Sequence, residues 1–150
     1  MKIGFILHAP KFRETYFADK LISDFRKQGH TVSVELLEAV ENEDGTLEIV
    51  NFPSIVDYDT LIFGAPIIDK KLSNVMQTYL KQLEHTEGKK AAGFVTQSVF
   101  SSSKSGKEAK DTLIELIAKK NIRVERVEII KYVNPFLKKE VKTSHLEVEK

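Results

Sequence analysis

Residues 58–66, Tyr-Asp-Thr-Leu-Ile-Phe-Gly-Ala-Pro, constrain the fold more than any other part of the sequence. The run at residues 60–63 shows no polar alternation, which is typical of a strand buried on both faces of a parallel sheet. Gly64 and Pro66 predict that this strand ends abruptly, because glycine relaxes the backbone and proline cannot continue the hydrogen-bond ladder. Ligands bind beyond the carboxyl ends of such strands. We therefore expect residues 64–71 to form a functional loop.

Strands and helices alternate along the rest of the chain. Strand-like patterns occur at residues 3–7, 31–37, 91–96 and 123–133, and apolar residues at helical spacing lie in three of the segments between the strands. Right-handed crossovers place helices on both faces of a parallel sheet. The sequence therefore predicts a doubly wound α/β fold with a five-stranded parallel sheet in the order 2-1-3-4-5.

Short motifs predict where individual elements end. Gly29 lies where a helix C-cap belongs, and Ser105 with Glu108 matches a capping box that opens the last helix. The alternation at residues 31–37 indicates a half-exposed strand near the sheet edge. An Asp-Gly dipeptide predicts a turn within residues 41–50, which form either a small hairpin or a surface loop.

Composition limits the class of protein. A chain of 150 residues fits one domain, and the absence of cysteine excludes disulfides, thiolate metal sites and a thiol nucleophile. The four histidines lack metal-ligand spacing, so we expect no metal. A net charge of +1 gives no argument for nucleic acid, and no apolar run reaches membrane-spanning length. We expect a cytoplasmic protein with a domain at residues 1–133 and a charged tail at residues 134–150, which is at most a poorly formed last helix.

Two segments carry a family resemblance: Tyr-Asp-Thr-Leu-Ile-Phe-Gly-Ala-Pro-Ile at residues 58–67 and Gly-Lys-Lys-Ala-Ala-Gly-Phe-Val-Thr-Gln at residues 88–97. With a helix between them, they resemble the middle of flavodoxin-like proteins. The resemblance implies non-covalent binding of FMN, whose flavin supplies the redox chemistry. It also implies electron transfer or reduction of a small acceptor, with a redox protein or a small molecule as partner. Electron carrier and FMN-dependent oxidoreductase both stay open, as does a homodimer.

The loop after the first strand is where the resemblance implies binding of the FMN phosphate. Flavodoxin-like proteins have a turn rich in hydroxyl groups and glycine here, and Thr15 matches its last hydroxyl. Lys11 and Arg13 attract a phosphate by charge. Pro10 removes one amide donor, and Glu14 repels a dianion. The alternative is that Thr15 or a neighbour merely caps the first helix. The positions assigned to the cofactor are His8, Ala9, Lys11, Arg13 and Thr15.

The resemblance implies that two further loops contact the flavin ring from opposite sides. An aromatic side chain in the second of them would stack on the ring, since an exposed aromatic otherwise wastes apolar area. The alternatives are an ordinary strand-to-helix connection and a flexible serine-rich connection. The positions assigned to the cofactor are Pro66, Ile67 and Ile68 in one loop and Thr96, Gln97 and Phe100 in the other.

His8 is the histidine predicted at the carboxyl end of a strand. There it would donate a proton to a reduced flavin or a substrate, which makes it the candidate catalytic residue. The competing interpretation is a hydrogen-bonded structural residue.

A different function also fits the predicted fold. A flavodoxin-fold binding or regulatory domain without FMN would use the same crevice for another anion or for a protein partner. A phosphate-receiver domain is excluded, because His8-Ala9 and Gly64-Ala65 stand where its acidic residues belong. A dinucleotide-binding enzyme is disfavoured, since the glycine pattern that opens its first helix is missing.

Overall fold

The computed structural model describes residues 1–132, so Val133 and the predicted tail lie outside the described residues. In chain order the elements are β1 (Lys2–Leu7), α1 (Arg13–Lys27), β2 (Thr31–Leu36), β3 (Ala39–Glu41), β4 (Leu47–Ile49), β5 (Thr60–Ile68), β6 (Lys71–Leu72), α2 (Asn74–Gln82), β7 (Lys90–Ser98), α3 (Ser103–Ala118) and β8 (Arg123–Tyr132). Five of the strands pair in parallel in the order β2-β1-β5-β7-β8. This confirms the predicted order 2-1-3-4-5, once the short β3, β4 and β6 are set aside.

Helices cover both faces of the sheet, as predicted. One face packs against α1 through Ala18, Ile22 and Phe25, and the other packs against α2 and α3 through Met76, Tyr79, Leu80, Leu113 and Ile117. Alternate residues of the inner strands point to opposite faces and both faces are covered, so β5 is apolar from Leu61 to Ile68. This explains the lack of alternation at residues 60–63.

The predicted C-cap of the first helix is confirmed. Gly29 follows α1 with φ +91°, its N–H donates to the carbonyl of Arg26 (3.0 Å), and the N–H of His30 donates to the carbonyl of Phe25 (3.1 Å). Glycine adopts this left-handed conformation without the steric cost that other residues have.

The predicted start of the last helix is wrong by one turn. α3 begins at Ser103, and the Oγ of Ser102 accepts a hydrogen bond from the N–H of Ser105 (3.2 Å). Ser102 has the extended conformation that an N-cap needs, whereas Ser105 already lies inside the helix.

The prediction that the central strand ends at Gly64 and Pro66 is also wrong, because β5 continues to Ile68. Neither residue acts here as a breaker. A Cβ on Gly64 would lie 2.3 Å from Cζ of Phe94, so glycine serves close packing. The neighbouring β1 ends at Leu7, opposite Gly64, and the N–H of Ser73 donates to the carbonyl of Pro66 (3.0 Å). Pro66 therefore turns its missing donor away from β7, at a position that β1 does not reach.

The expected loop at residues 64–71 is instead the end of β5 followed by a tight hairpin to β6. Ile67 pairs with Leu72 and Ile68 with Lys71, leaving Asp69 and Lys70 as the turn. Both turn residues have positive φ, +52° and +68°. Two consecutive positive values match the twist of a two-residue hairpin.

The two alternatives for residues 41–50 are settled in favour of a hairpin. β3 and β4 pair antiparallel, and the N–H of Asn42 donates to the carbonyl of Thr46 (2.8 Å). β2 lies at the sheet edge, as its alternation predicted.

Candidate functional site

Three candidate segments meet at one edge of the sheet. The register places Leu7 opposite Gly64 and Pro66 opposite Thr96, so the carboxyl ends of β1, β5 and β7 lie side by side. The chain continues from them into residues 8–12, the β5–β6 hairpin and residues 99–102. We call this the carboxyl edge.

The start of α1 offers hydrogen-bond donors to a ligand. The first turn of an α-helix has N–H groups without intrahelical partners. The N-cap residue Phe12 has φ +64° and no side-chain hydrogen bond to them. The Oγ1 of Thr15 is buried and has no partner among residues 1–132. Thr15 therefore does not cap α1 in the described part of the chain, although the sequence allowed that alternative.

Arg13 is held by the last described residue. Its Nη1 donates to the hydroxyl of Tyr132 (2.8 Å), and its guanidinium carbon lies 4.0 Å from the centre of the Tyr132 ring. Of the two cations expected to attract phosphate, Arg13 is thus fixed at the edge of the site and Lys11 is exposed. Sequence reasoning did not assign a role to Tyr132, whose only signal was an aromatic residue at the end of a strand.

Glu14 forms a second hydrogen-bonded contact between the start of α1 and the sheet. Its carboxylate accepts a hydrogen bond from the Oγ1 of Thr96, and Glu14 is 1% exposed. Burial raises the pKa of Glu14, while the Thr96 bond, its own backbone N–H and the charge of Arg13 act in the opposite direction. The carboxylate faces the end of β7, so Glu14 does not stand in the loop as the sequence prediction assumed.

His8 contacts the start of α2. Its Nδ1 lies 2.9 Å from Oγ of Ser73, which also accepts the N–H of Met76 (3.1 Å), and its backbone N–H donates to the carbonyl of Gly64 (2.9 Å). Burial lowers the pKa of His8. Ser73 is fully buried. A serine hydroxyl can both donate and accept, so the contact fits either tautomer of the neutral His8 ring.

The predicted ring-contacting positions divide into buried and exposed residues. Thr96 and Gln97 belong to β7 and are each 2% exposed, and Pro66 is also buried. Ile68, by contrast, is 44% exposed and Phe100 is 82% exposed. β5 and β7 are neighbours, Ile68 ends β5, and Phe100 lies two residues after β7. Both residues therefore belong to the same part of the carboxyl edge.

Gln97 is occupied by the packing of α3. Its Nε2 donates to the carbonyl of Ser102 (3.4 Å), and a Cβ on Gly106 would lie 1.9 Å from its Oε1. The Oε1 atom is buried without a partner in the described residues. Gln97 thus supports the start of α3.

Two further kinds of site were sought in residues 1–132. No group of histidine, aspartate and glutamate side chains there has the arrangement of a metal site. None of the helices in that part is long and apolar enough to cross a membrane.

No protein-family model matches the chain, and no curated protein matches its sequence. Solved structures do match its fold. Oxidised flavodoxin 1 from Bacillus cereus has a TM-score of 0.64 at 22% identity, covering 89% of this chain and 86% of that one. A flavoprotein in complex with FMN from Lactobacillus acidophilus NCFM has a TM-score of 0.63 at 14% identity, covering 85% and 92%. A flavone reductase has a TM-score of 0.65 at 12% identity, covering 87% of this chain and 54% of the reductase.

These similarities agree with the strand order, the crossovers and the carboxyl edge described above. At such identities they concern the fold and not the activity. The chain has the flavodoxin-like fold that its sequence resemblance predicted.

Proposed function

We propose that this chain is a cytoplasmic protein that binds FMN non-covalently at the carboxyl edge, for electron transfer or for reduction of a small acceptor. The start of α1 carries the proposal, because the buried Thr15 hydroxyl has no partner among the described residues and the N-cap residue Phe12 makes no side-chain bond to the N–H groups of the first turn. A structurally similar flavoprotein from L. acidophilus is in complex with FMN.

A phosphate fits the start of α1 by charge and by hydrogen bonding. Helix N-termini attract anions, because the N–H groups point outward and the helix dipole is positive there. The N–H groups of Arg13 and Thr15 and the Thr15 hydroxyl are donors of the required kind. Lys11 is exposed and flexible enough to add a charge-assisted contact. In this proposal these residues hold the phosphate, without the glycines that the resemblance led us to expect.

The exposed side chains of Ile68 and Phe100 supply apolar surface for a flat ring. FMN supplies the redox chemistry when bound, and the protein positions it and sets its surroundings. Ile68 and Phe100 would shield the ring from water, which disfavours charged reduced forms. His8 lies at the same edge, and burial lowers its pKa and so favours the neutral imidazole, which in this proposal exchanges a proton with the ligand.

An absorption spectrum with an FMN titration tests the proposal. We expect flavin bands retained at about one FMN per chain, and quenching of flavin fluorescence on binding. Thr15→Val should weaken FMN binding about 5- to 10-fold, as for loss of one hydrogen bond of roughly 1 kcal/mol. Thr112→Val is the matched control, because that helical threonine bonds the carbonyl of Glu108 far from the edge. A protein that retains no flavin and binds none would overturn the proposal.

The second candidate is a domain of the same fold that holds another anion or a protein partner. Phe12 favours it, since an exposed phenyl group stands at the N-cap where a phosphate-wrapping turn is expected to be small. In that case phosphate or sulfate would raise the unfolding temperature while FMN would not.

A further inference from the structure

We propose that phosphate binding at the start of α1 is linked to protonation of Glu14, so that the site takes up a proton on binding and weakens as pH rises. This inference rests on the proposed function where the phosphate is that of FMN, and it adds a pH control to that site.

The geometry places two negative groups at the same helix start. Glu14 is the second residue of α1, so its backbone N–H is one of the donors available to a bound phosphate. The Glu14 carboxylate already interacts with that same N–H and with the Thr96 hydroxyl. An ionised Glu14 therefore competes with phosphate for a donor and repels it.

The carboxylate cannot move away from this position at low cost. Glu14 is 1% exposed and bonded to β7. Charges inside a protein are screened less than charges in water. The repulsion between the buried carboxylate and a nearby dianion therefore stays strong. Protonation is the direct way to remove it.

The neighbouring positive charges do not cancel the repulsion between the Glu14 carboxylate and a bound phosphate. From α1, Arg13 lies close enough to favour the ionised carboxylate, but its guanidinium is bonded to Tyr132 of β8. From β7 the facing group is Thr96, which is neutral, and the exposed Lys11 belongs to the preceding loop. Burial outweighs these contacts and raises the pKa of Glu14 even without a ligand.

The sign of the pH effect follows from these charges. A bound dianion raises the pKa of Glu14 further. Affinity is highest where Glu14 is protonated in the free protein, and it falls as pH rises through the free-state pKa. The fall stops above the pKa of the complex, where no proton is taken up. The phosphate of the ligand also titrates, near pH 6, so wild type must be compared with a variant that lacks only the Glu14 charge.

Calorimetric titration with FMN and with inorganic phosphate, at several pH values between about 5 and 8, tests the linkage. Repeating each titration in buffers of different ionisation enthalpy gives the number of protons taken up. We expect wild type to take up more protons than Glu14→Gln, and its affinity to fall at least about tenfold further across the range. Riboflavin, which has no phosphate, should show no difference between the two proteins.

Two variants, each close in shape to the residue it replaces, test whether Glu14 is the titrating group. Glu14→Gln has the same shape and still accepts the Thr96 hydrogen bond. Thr96→Val removes a bond that favours the ionised form, so the pH range of proton uptake should move upward. An unmoved range in Thr96→Val would count against Glu14 as the titrating group.

The outcomes separate this inference from the flavin proposal. If FMN binds and wild type takes up the same number of protons as Glu14→Gln, the linkage is wrong and the proposal of FMN binding stands. Inorganic phosphate bound with extra proton uptake in wild type, without FMN binding, supports the linkage and overturns the flavin proposal. If neither ligand binds either protein, both proposals are wrong.

Discussion

The hydroxyl group of Thr96 donates a hydrogen bond to the carboxylate of Glu14, joining the end of β7 to the first turn of α1. Both residues are almost completely buried. The contact therefore fixes the helix start that would hold a phosphate against the strand that leads into the third loop of the carboxyl edge.

We expect Thr96→Val to destabilise the protein by about 1–3 kcal/mol, because it removes the hydroxyl donor from a buried carboxylate. The loss should be larger at pH 8 than at pH 5, since the ionised carboxylate depends more on the bond. Urea unfolding at both pH values measures it. Thr112→Val, at a half-buried position on α3, should change stability by no more than about 0.5 kcal/mol. An equal effect of the two substitutions would contradict the role of the Glu14 contact.

The raised pKa of Glu14 makes a stability prediction with a definite sign. The folded state binds this proton more tightly than the unfolded state, so the contribution to stability is full below the unfolded pKa of about 4.5 and is lost as pH rises through the folded value. Glu14→Gln removes that dependence. We expect the variant to be more stable than wild type at pH 8 and the difference to shrink toward pH 4.5. A pH-independent difference in unfolding free energy would mean that Glu14 is not the group responsible.

We expect Gly106→Ala to destabilise the protein by no more than about 1 kcal/mol, because the new methyl group displaces the buried Oε1 of Gln97 while alanine is favoured over glycine inside a helix. In the background Gln97→Ala the same substitution should cost much less. A double-mutant cycle measured by urea unfolding gives the coupling between the two positions. A coupling near zero would show that α3 shifts instead of Gln97.

Local patterns predicted the fold because they depend on few residues. The C-cap depends on a single glycine, Gly29, and the edge position of β2 depends on the alternation within that one strand. The end of β5 was predicted wrongly because its causes are distant: Pro66 is tolerated where β1 has ended, and Gly64 is small because Phe94 packs on it.

The contacts of α1 that the sequence did not reveal also join residues that are far apart in the chain. Arg13 and Tyr132 are 119 residues apart, and Glu14 and Thr96 are 82 apart. Nothing local to α1 shows that its first turn is bonded to two strands. The available signal was a polar residue, Thr96, at the end of an otherwise apolar run, and it was interpreted as a ligand contact. In the structure its hydroxyl bonds the buried carboxylate of Glu14.

Phe12 gives a prediction that separates backbone strain from ligand contact. A residue other than glycine pays roughly 1–2 kcal/mol for a left-handed conformation, and Phe12 has φ +64° with a side chain 70% exposed. Phe12→Gly should therefore stabilise the protein by about 1 kcal/mol in urea unfolding. Tyr16→Gly, which removes an aromatic side chain that is 69% exposed from inside α1, should destabilise it by about 1 kcal/mol.

The same pair of variants reports on FMN. The proposed phosphate donors are backbone N–H groups and Thr15, so Phe12→Gly should leave the FMN dissociation constant within about threefold of wild type, a change of less than 1 kcal/mol. A loss of tenfold or more, with Tyr16→Gly unaffected, would show that the phenyl ring itself contacts the ligand. That result would move the binding surface from the helix start toward the exposed aromatic side chains of the carboxyl edge.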